Sequence, residues 1–152
     1  MIVREPTLAD AQALYDCILP YADISMQGKA VPINPVVVME SLCNVIQADN
    51  FVKQMVEVDG EVVGLAFGYY GNSWWTDPDC GVDFFYTSQK GVSRLLLQCM
   101  IDGFKARGCG WMYAGAESAV SDTNTRLYEN LFKKHGFHDI GGGRMILNLR
   151  GD

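Results

Sequence analysis

VDFFYTSQKGVSRLLLQCMIDGFKARG, residues Val82–Gly108, sets the architecture of the chain around it. An apolar strand runs into a short Ser/Gln/Lys/Gly loop, and an amphipathic helix begins there without a break. A chain that passes from a buried strand into a helix leaves several backbone N–H groups unpaired at the positive end of the helix dipole. Gly91 admits close approach of a ligand to the backbone, and Lys90 and Arg94 add positive charge. The combination suits a phosphate or pyrophosphate group. An ordinary tight turn has the same outline, so both readings stand until the flanking elements are placed.

Working outward, 152 residues fit one domain, a size that buries a full core without disulfides or metal. Hydrophobic residues make up 49% and charged residues 20%, which excludes a disordered or fibrous chain. The net charge of −6 and the lack of a long basic run argue against general nucleic-acid binding. A local basic pocket at Lys90 and Arg94 is compatible with that balance. No apolar segment approaches the roughly 20 residues that cross a bilayer. The opening MIVREPT meets a charge at Arg4 and lacks a signal-peptide core, so a cytoplasmic location is expected. Cys17, Cys43, Cys80, Cys99 and Cys109 form no C-x-x-C pair and read as buried small hydrophobes, with no metal implied.

Ile2–Arg4 reads as a first strand. Thr7 and Asp10 make an approximate capping box for a helix carrying Leu8, Ala11, Leu14, Tyr15 and Ile18 on one face, with Pro20 marking its end. Residues Ala22–Asn34 read as a loop, and Pro35 fits the first turn of a second helix. Phe51–Val58 and Glu61–Tyr70 form a hairpin about Asp59-Gly60. After a loop comes the strand of the opening stretch, then its helix, with Val92, Leu95, Leu96 and Cys99 as the expected buried face and Lys105, Arg107 and Gly108 at its end. Trp111–Glu117 is a further strand. Ser121–His135 is a helix with Leu127, Tyr128, Leu131 and Phe132 on one face, capped by Gly136. Strands at Phe137–Ile140 and Arg144–Leu149, joined by three glycines, close the chain. The order β-α-α-β-β-β-α-β-α-β-β implies one mixed α/β sheet with helices on both faces.

That order, with its corner after the fourth strand, resembles the GNAT superfamily of acyl-CoA N-acyltransferases from Ile2 to Leu149. The family's loop reads Gln/Arg-x-x-Gly-x-Gly/Ala, and its backbone N–H groups hold the CoA pyrophosphate. SQKGVS, Ser88–Ser93, stands in that place: Gly91 matches, whereas Ser88 and Ser93 depart. Family helices also read Asn-x(n)-Tyr-x-x-x-Gly-Phe, the tyrosine being the general acid on the departing thiolate. NTRLYENLFKKHGF, Asn124–Phe137, keeps the Gly-Phe ending and places Asn124 near the usual asparagine, but Phe132 occupies the tyrosine position. Tyr128, one turn earlier on the same face, is the substitute acid if its hydroxyl reaches the sulfur; otherwise it is a packed aromatic. Phe132→Tyr is expected to raise turnover. The resemblance implies a GNAT-like sheet of six to seven strands and acetyl-CoA as co-substrate. Its contacts would come from Phe85 and Tyr86 at the thioester, Thr87, Ser88, Lys90, Gly91, Val92, Ser93 and Arg94 at the pyrophosphate, and Asn124 and Phe132 on the later helix. The degenerate motifs are similar to those of small GNAT-like proteins of tailed bacteriophages, which would place the chain in a host cytoplasm.

Aminolysis of a thioester needs a neutral amine, an oxyanion stabiliser and a proton route to the thiolate. Asp83, on the fourth strand amid apolar neighbours, and Glu117, at the end of the fifth, are the candidate bases. Each reads alternatively as a solvated strand residue, and a water-mediated base would replace both. His135 and His138 read as surface or cap residues. Trp74-Trp75 reads equally as an acceptor-site wall, a core anchor or a homodimer contact, and Tyr21, Met26 and Gln27 as the other acceptor wall. The leading expectation is an acetyl-CoA-dependent N-acetyltransferase. It would act on a primary amine, small molecule or protein lysine, by direct attack in a ternary complex. A non-catalytic GNAT-fold structural or interaction module with weak or no CoA binding is the rival, and another nucleotide-binding α/β protein is the third reading.

Overall fold

A computed structural model of the chain describes residues 1–24, 31–72, 79–115 and 122–151. Strand β1 (Ile2–Arg4) and a 3-10 turn (Leu8–Asp10) lead into α1 (Ala11–Ile24) and α2 (Pro35–Gln47). Then come β2 (Phe51–Val58), β3 (Glu61–Gly71), β4 (Asp79–Thr87), α3 (Ser93–Ala106) and β5 (Trp111–Gly115). Helix α4 (Asp122–Lys134), β6 (His138–Gly141) and β7 (Arg144–Asn148) complete the order that the hydrophobic periodicities predict. The seven strands form one sheet in the order β1-β2-β3-β4-β5-β7-β6. Every neighbouring pair is antiparallel except β4 and β5.

Each face of the sheet carries its own core. Leu96, Leu97, Met100, Ile101 and Phe104 of α3 pack on Val52, Val56 and Ala66, with Phe132 and Phe137 beside them. On the other face Leu14 and Ile18 of α1 and Leu42 and Ile46 of α2 cover Met55 and Leu65. The strands between them are accordingly apolar on both sides. At Gly68 a Cβ would overlap the carbonyl oxygen of Gly81 and stand 2.7 Å from the Phe104 ring, so glycine sets how closely β3, β4 and α3 approach.

Three expectations are corrected. Helix α1 runs through Pro20 to Ile24. Proline removes one helical donor, but Leu14, Ile18 and Tyr21 continue the buried stripe, and that burial outweighs the missing bond. In α3 the buried face is Val92, Leu96, Leu97, Met100, Ile101 and Phe104, whereas Leu95 is exposed and Cys99 partly so. Three successive leucines supply a hydrophobe in either phase, and the longer stripe wins. Among the described side chains of α4, Phe132 alone is fully buried; Tyr128 and Leu131 are half-buried and Leu127 is exposed.

Helices α3 and α4 end in the same way. The amides of Cys109 and Phe137 donate back to Phe104 and Phe132, and those of Gly108 and Gly136 to Lys105 and Lys133. Both glycines have positive φ, the Schellman arrangement, with an apolar contact between Phe132 and Phe137 at 5.4 Å between ring centres. Helix α2 ends differently. Lys53 of β2 is buried, and its Nζ donates to Val45 O at 3.1 Å, Ala48 O at 2.8 Å and Ile46 O. A lysine from the sheet thus satisfies the orphan carbonyls of a helix C-terminus. At the N-terminal edge, Arg4 forks onto Asp10 at 2.7 and 2.8 Å and reaches Glu57 at 2.8 Å, tying β1 to β2 and the turn before α1.

Lys53→Met keeps the volume but strands those carbonyls. It should destabilise the fold by about 2–3 kcal/mol in urea unfolding, with an unchanged m-value.

Candidate active site

The site begins with a register defect in β4. Phe67 pairs with Phe84 and Gly68 with Val82, so Asp83 is an extra residue without a partner on β3. One extra residue reverses the side-chain alternation. Cys80 and Val82 before it, and Phe85 after it, face the α3 core, while Phe84 and Tyr86 face the α1 side. Among the described residues, pairing of β4 with β5 covers Asp79, Cys80 and Gly81, opposite Trp111, Met112 and Tyr113, and Ala114 and Gly115 have no partner on β4. Ser88 N–H donates to Val63 O at 2.8 Å, which fixes the phase of the β3–β4 ladder. By alternation the N–H groups of Tyr86 and Phe84 point to β3, and those of Phe85 and Thr87 point to the β5 side, where they meet no described partner. The expectation that both Phe85 and Tyr86 present donors there is corrected: Tyr86 spends its backbone on β3.

The corner follows at once. Gly91 takes φ +85°, a left-handed conformation that glycine adopts without strain, and Val92 N-caps α3 with no side-chain cap. The backbone N–H groups from Gln89 to Leu95 have no hydrogen-bond partner among the described residues. Thr87 Oγ1 and Ser93 Oγ lie 2.7 Å apart and clamp strand to helix, and Ser88 Oγ donates to Val63 O at 3.3 Å. The hydroxyls therefore brace the corner first. Beside it lies a cavity of about 490 Å³ between the corner and α4. Thr87, Ser88, Ser93 and the cations Lys90 and Arg94 form one wall; Tyr128, Leu131 and Lys134 form the other.

Tyr128 thus lines the cavity, edge-on to Phe85 at 5.8 Å between ring centres. Burial, with the nearby hydroxyls of Tyr21 and Tyr86 adding to it, pushes its phenol up to about 12. Tyr21 and Tyr86 themselves pack ring to ring at 4.6 Å, from α1 and from the opposite face of β4. Burial raises the Tyr21 and Tyr86 hydroxyls as well. Tyr21 belongs to a helix, although it was expected at the mouth of a loop.

Other expected site residues are placed differently. Phe132 is buried among Phe85, Tyr128 and Phe137 and does not line the cavity, so it makes no ligand contact from there. A tyrosine at 132 would carry its hydroxyl into the core, contrary to the expected gain in turnover. The Val92 side chain is likewise buried, leaving only its backbone at the corner. Asp83 stands exposed at the bulge. Partial burial still raises its pKa, and the Tyr69 backbone N–H lowers it in part. Glu117, Trp74-Trp75, Met26 and Gln27 lie outside the described residues, as does the side chain of Asn124. His135 Nδ1 meets Leu131 O at 2.9 Å within its own helix end, and no metal-binding group of acids, cysteines and histidines occurs among the described residues. Sequence reasoning missed Lys134 as a cavity residue. The signal was its spacing: residues 127, 131 and 134 fall on one helical stripe.

No family model matches the chain, and no curated protein matches its sequence. Solved structures do match its fold. A probable acetyltransferase superposes with a TM-score of 0.74 at 14% identity, covering 93% of this chain and 92% of that one. A GNAT-family acetyltransferase from Streptococcus pneumoniae gives 0.72 at 18% identity, covering 97% and 98%. AAC(6')-Iy in complex with the bisubstrate analog CoA-S-monomethyl-acetylneamine gives 0.67 at 14% identity, covering 92% of each. The chain has the GNAT fold.

Because the folded phenol of Tyr128 holds its proton to about 12 against an ordinary 10, the folded state binds more protons across that window. Its contribution to stability is complete below pH 10 and is lost as the pH rises towards 12. Tyr128→Phe should flatten the alkaline fall in stability and remove the late phase from a phenolate absorbance titration.

Proposed function

We propose that the protein is an acetyl-CoA-dependent N-acetyltransferase that passes the acetyl group directly to a primary amine in a ternary complex. The observation that carries this reading is the run of partnerless N–H groups from Gln89 to Leu95, continuous with the β4 edge that meets no described partner on β5 and flanked by Lys90 and Arg94. Such a run suits a pyrophosphate, and the outward N–H groups of Phe85 and Thr87 suit a thioester oxyanion. Tyr128 lies at the same cavity and is the proton donor to the departing thiolate. Asp83 or Glu117, directly or through water, takes the proton from the amine. Burial raises the thiols of Cys80 and Cys109, which disfavours a thiolate nucleophile and fits direct transfer. The acceptor class, a small amine or a protein lysine, follows the GNAT fold. The cytoplasm is the compartment that the reading implies. Among the described residues no helix is long and apolar enough to cross a membrane.

One observation favours a non-catalytic module: the usual tyrosine position holds the buried Phe132. Three measurements separate the readings. Acetyl-CoA at millimolar concentration should raise the melting temperature, since a ligand of the native state alone must do so. Gly91→Val, which puts a branched side chain at positive φ beside the pyrophosphate, should weaken CoA binding about tenfold or more while the far-ultraviolet dichroism stays native. Tyr128→Phe should lower turnover about 100-fold on an amine panel and leave CoA affinity nearly unchanged. Turnover on an amine would favour the enzyme; no stabilisation by CoA would sink it and favour the module, which binds CoA weakly or not at all.

A further inference from the structure

We infer that Thr87 is a positioning residue for the acyl donor: its hydroxyl holds the Ser93 hydroxyl away from the first N–H groups of α3 and so keeps them open to phosphate. The inference rests on the CoA reading above and adds what stops the chain from filling that corner itself.

A helix that starts without a side-chain cap leaves its leading amides unpaired, and a serine in its first turn is a ready acceptor for them. Val92 N-caps α3 and offers no oxygen, while Ser93 is the first helical residue. Two residues on stands Leu95, whose N–H has no partner among the described residues. A serine side chain commonly takes the backbone N–H two residues ahead of it. Among the described residues Ser93 makes no such bond; its Oγ lies 2.7 Å from Thr87 Oγ1, on the last residue of β4.

Thr87 is itself held in place. A Cβ at Gly64 of β3 would stand 3.3 Å from Thr87 Cγ2 and 3.4 Å from Val92 Cγ1, so both methyl groups rest on bare backbone. Methyl and hydroxyl of threonine turn together about one stiff torsion, so seating the methyl on Gly64 aims the hydroxyl at Ser93. Both residues line the cavity, with Lys90 and Arg94 beside them. Once released, the Ser93 hydroxyl competes with the ligand, because an amide paired within the chain has to be freed before an anion can use it. Two other roles give different patterns. A clamp that only ties β4 to α3 changes stability and leaves ligand affinity alone. Hydroxyls that themselves touch phosphate make the loss of both worse than the loss of either.

The test is calorimetric titration of the purified protein with CoA, beside the melting temperature of each variant without ligand. Thr87→Val, which keeps the shape and removes the hydroxyl, should weaken CoA about tenfold, the scale of one charge-assisted hydrogen bond. Thr87→Ala should do the same without a second methyl group. Thr87→Ser should bind as wild type does. Adding Ser93→Ala to Thr87→Val should bring the affinity back to within about twofold of wild type, since the competing oxygen is gone. Unchanged affinity in Thr87→Val and Thr87→Ala, or a double variant that binds no better than Thr87→Val, overturns the inference and leaves the CoA reading intact. No CoA binding by wild type overturns both.

Discussion

The extra residue at Asp83 is the constraint on which the site depends. Parallel strands pair in register or not at all, and β4 loses its match to β5 at the point where its pleat is reset. Had the ladder continued, the backbone donors of Phe85 and Thr87 would be consumed by β5. A closed sheet would also keep the α1 side and the α4 side apart. Tyr128 on one face and Tyr21 and Tyr86 on the other stand close enough that the latter two add to the rise that burial gives the Tyr128 phenol. The cores on either face anchor the strands by packing that does not need β4 and β5 to pair beyond Gly81.

Much of the architecture was legible because its signals were local. Asp59-Gly60 between two β-branched runs, Pro35 behind Asn34, and Gly108 and Gly136 after apolar stripes each act within a few residues, and each ends or turns an element where expected. The corner at Gly91 was legible for the same reason. What sequence could not yield was set by partners far along the chain. The bulge is visible only against β3, since Val82, Asp83 and Phe84 carry no glycine or turn signal. The α3 phase depended on which leucines met Val52 and Ala66. Pro20 looked like a terminus because its cost is local, whereas the burial that outweighs it belongs to Tyr21 and the sheet.

The departures from the family's side-chain pattern fall where backbone does the work. Ser88 and Ser93 replace residues of a loop whose donors are amides, and here their hydroxyls are turned to bracing the corner. Phe132 is a different matter, since a proton donor cannot be supplied by the main chain. Its ring instead helps to seat Tyr128, which holds the cavity position one turn earlier. On the proposed reading, the cofactor geometry is thus under loose sequence control and the chemical risk rests on one phenol.

Lys53 bears on this in an unexpected way. All three of its donors are taken by carbonyls at the end of α2, and it is the one lysine buried among the described residues. Under the proposed chemistry, a reactive thioester exposes the protein's own amines to stray acylation. Lys90, Lys133 and Lys134 stand in solvent and are open to that damage. The nitrogen of Lys53 cannot be acylated without first unfastening α2, so the amine on which the sheet's far side depends is kept out of reach of the chemistry.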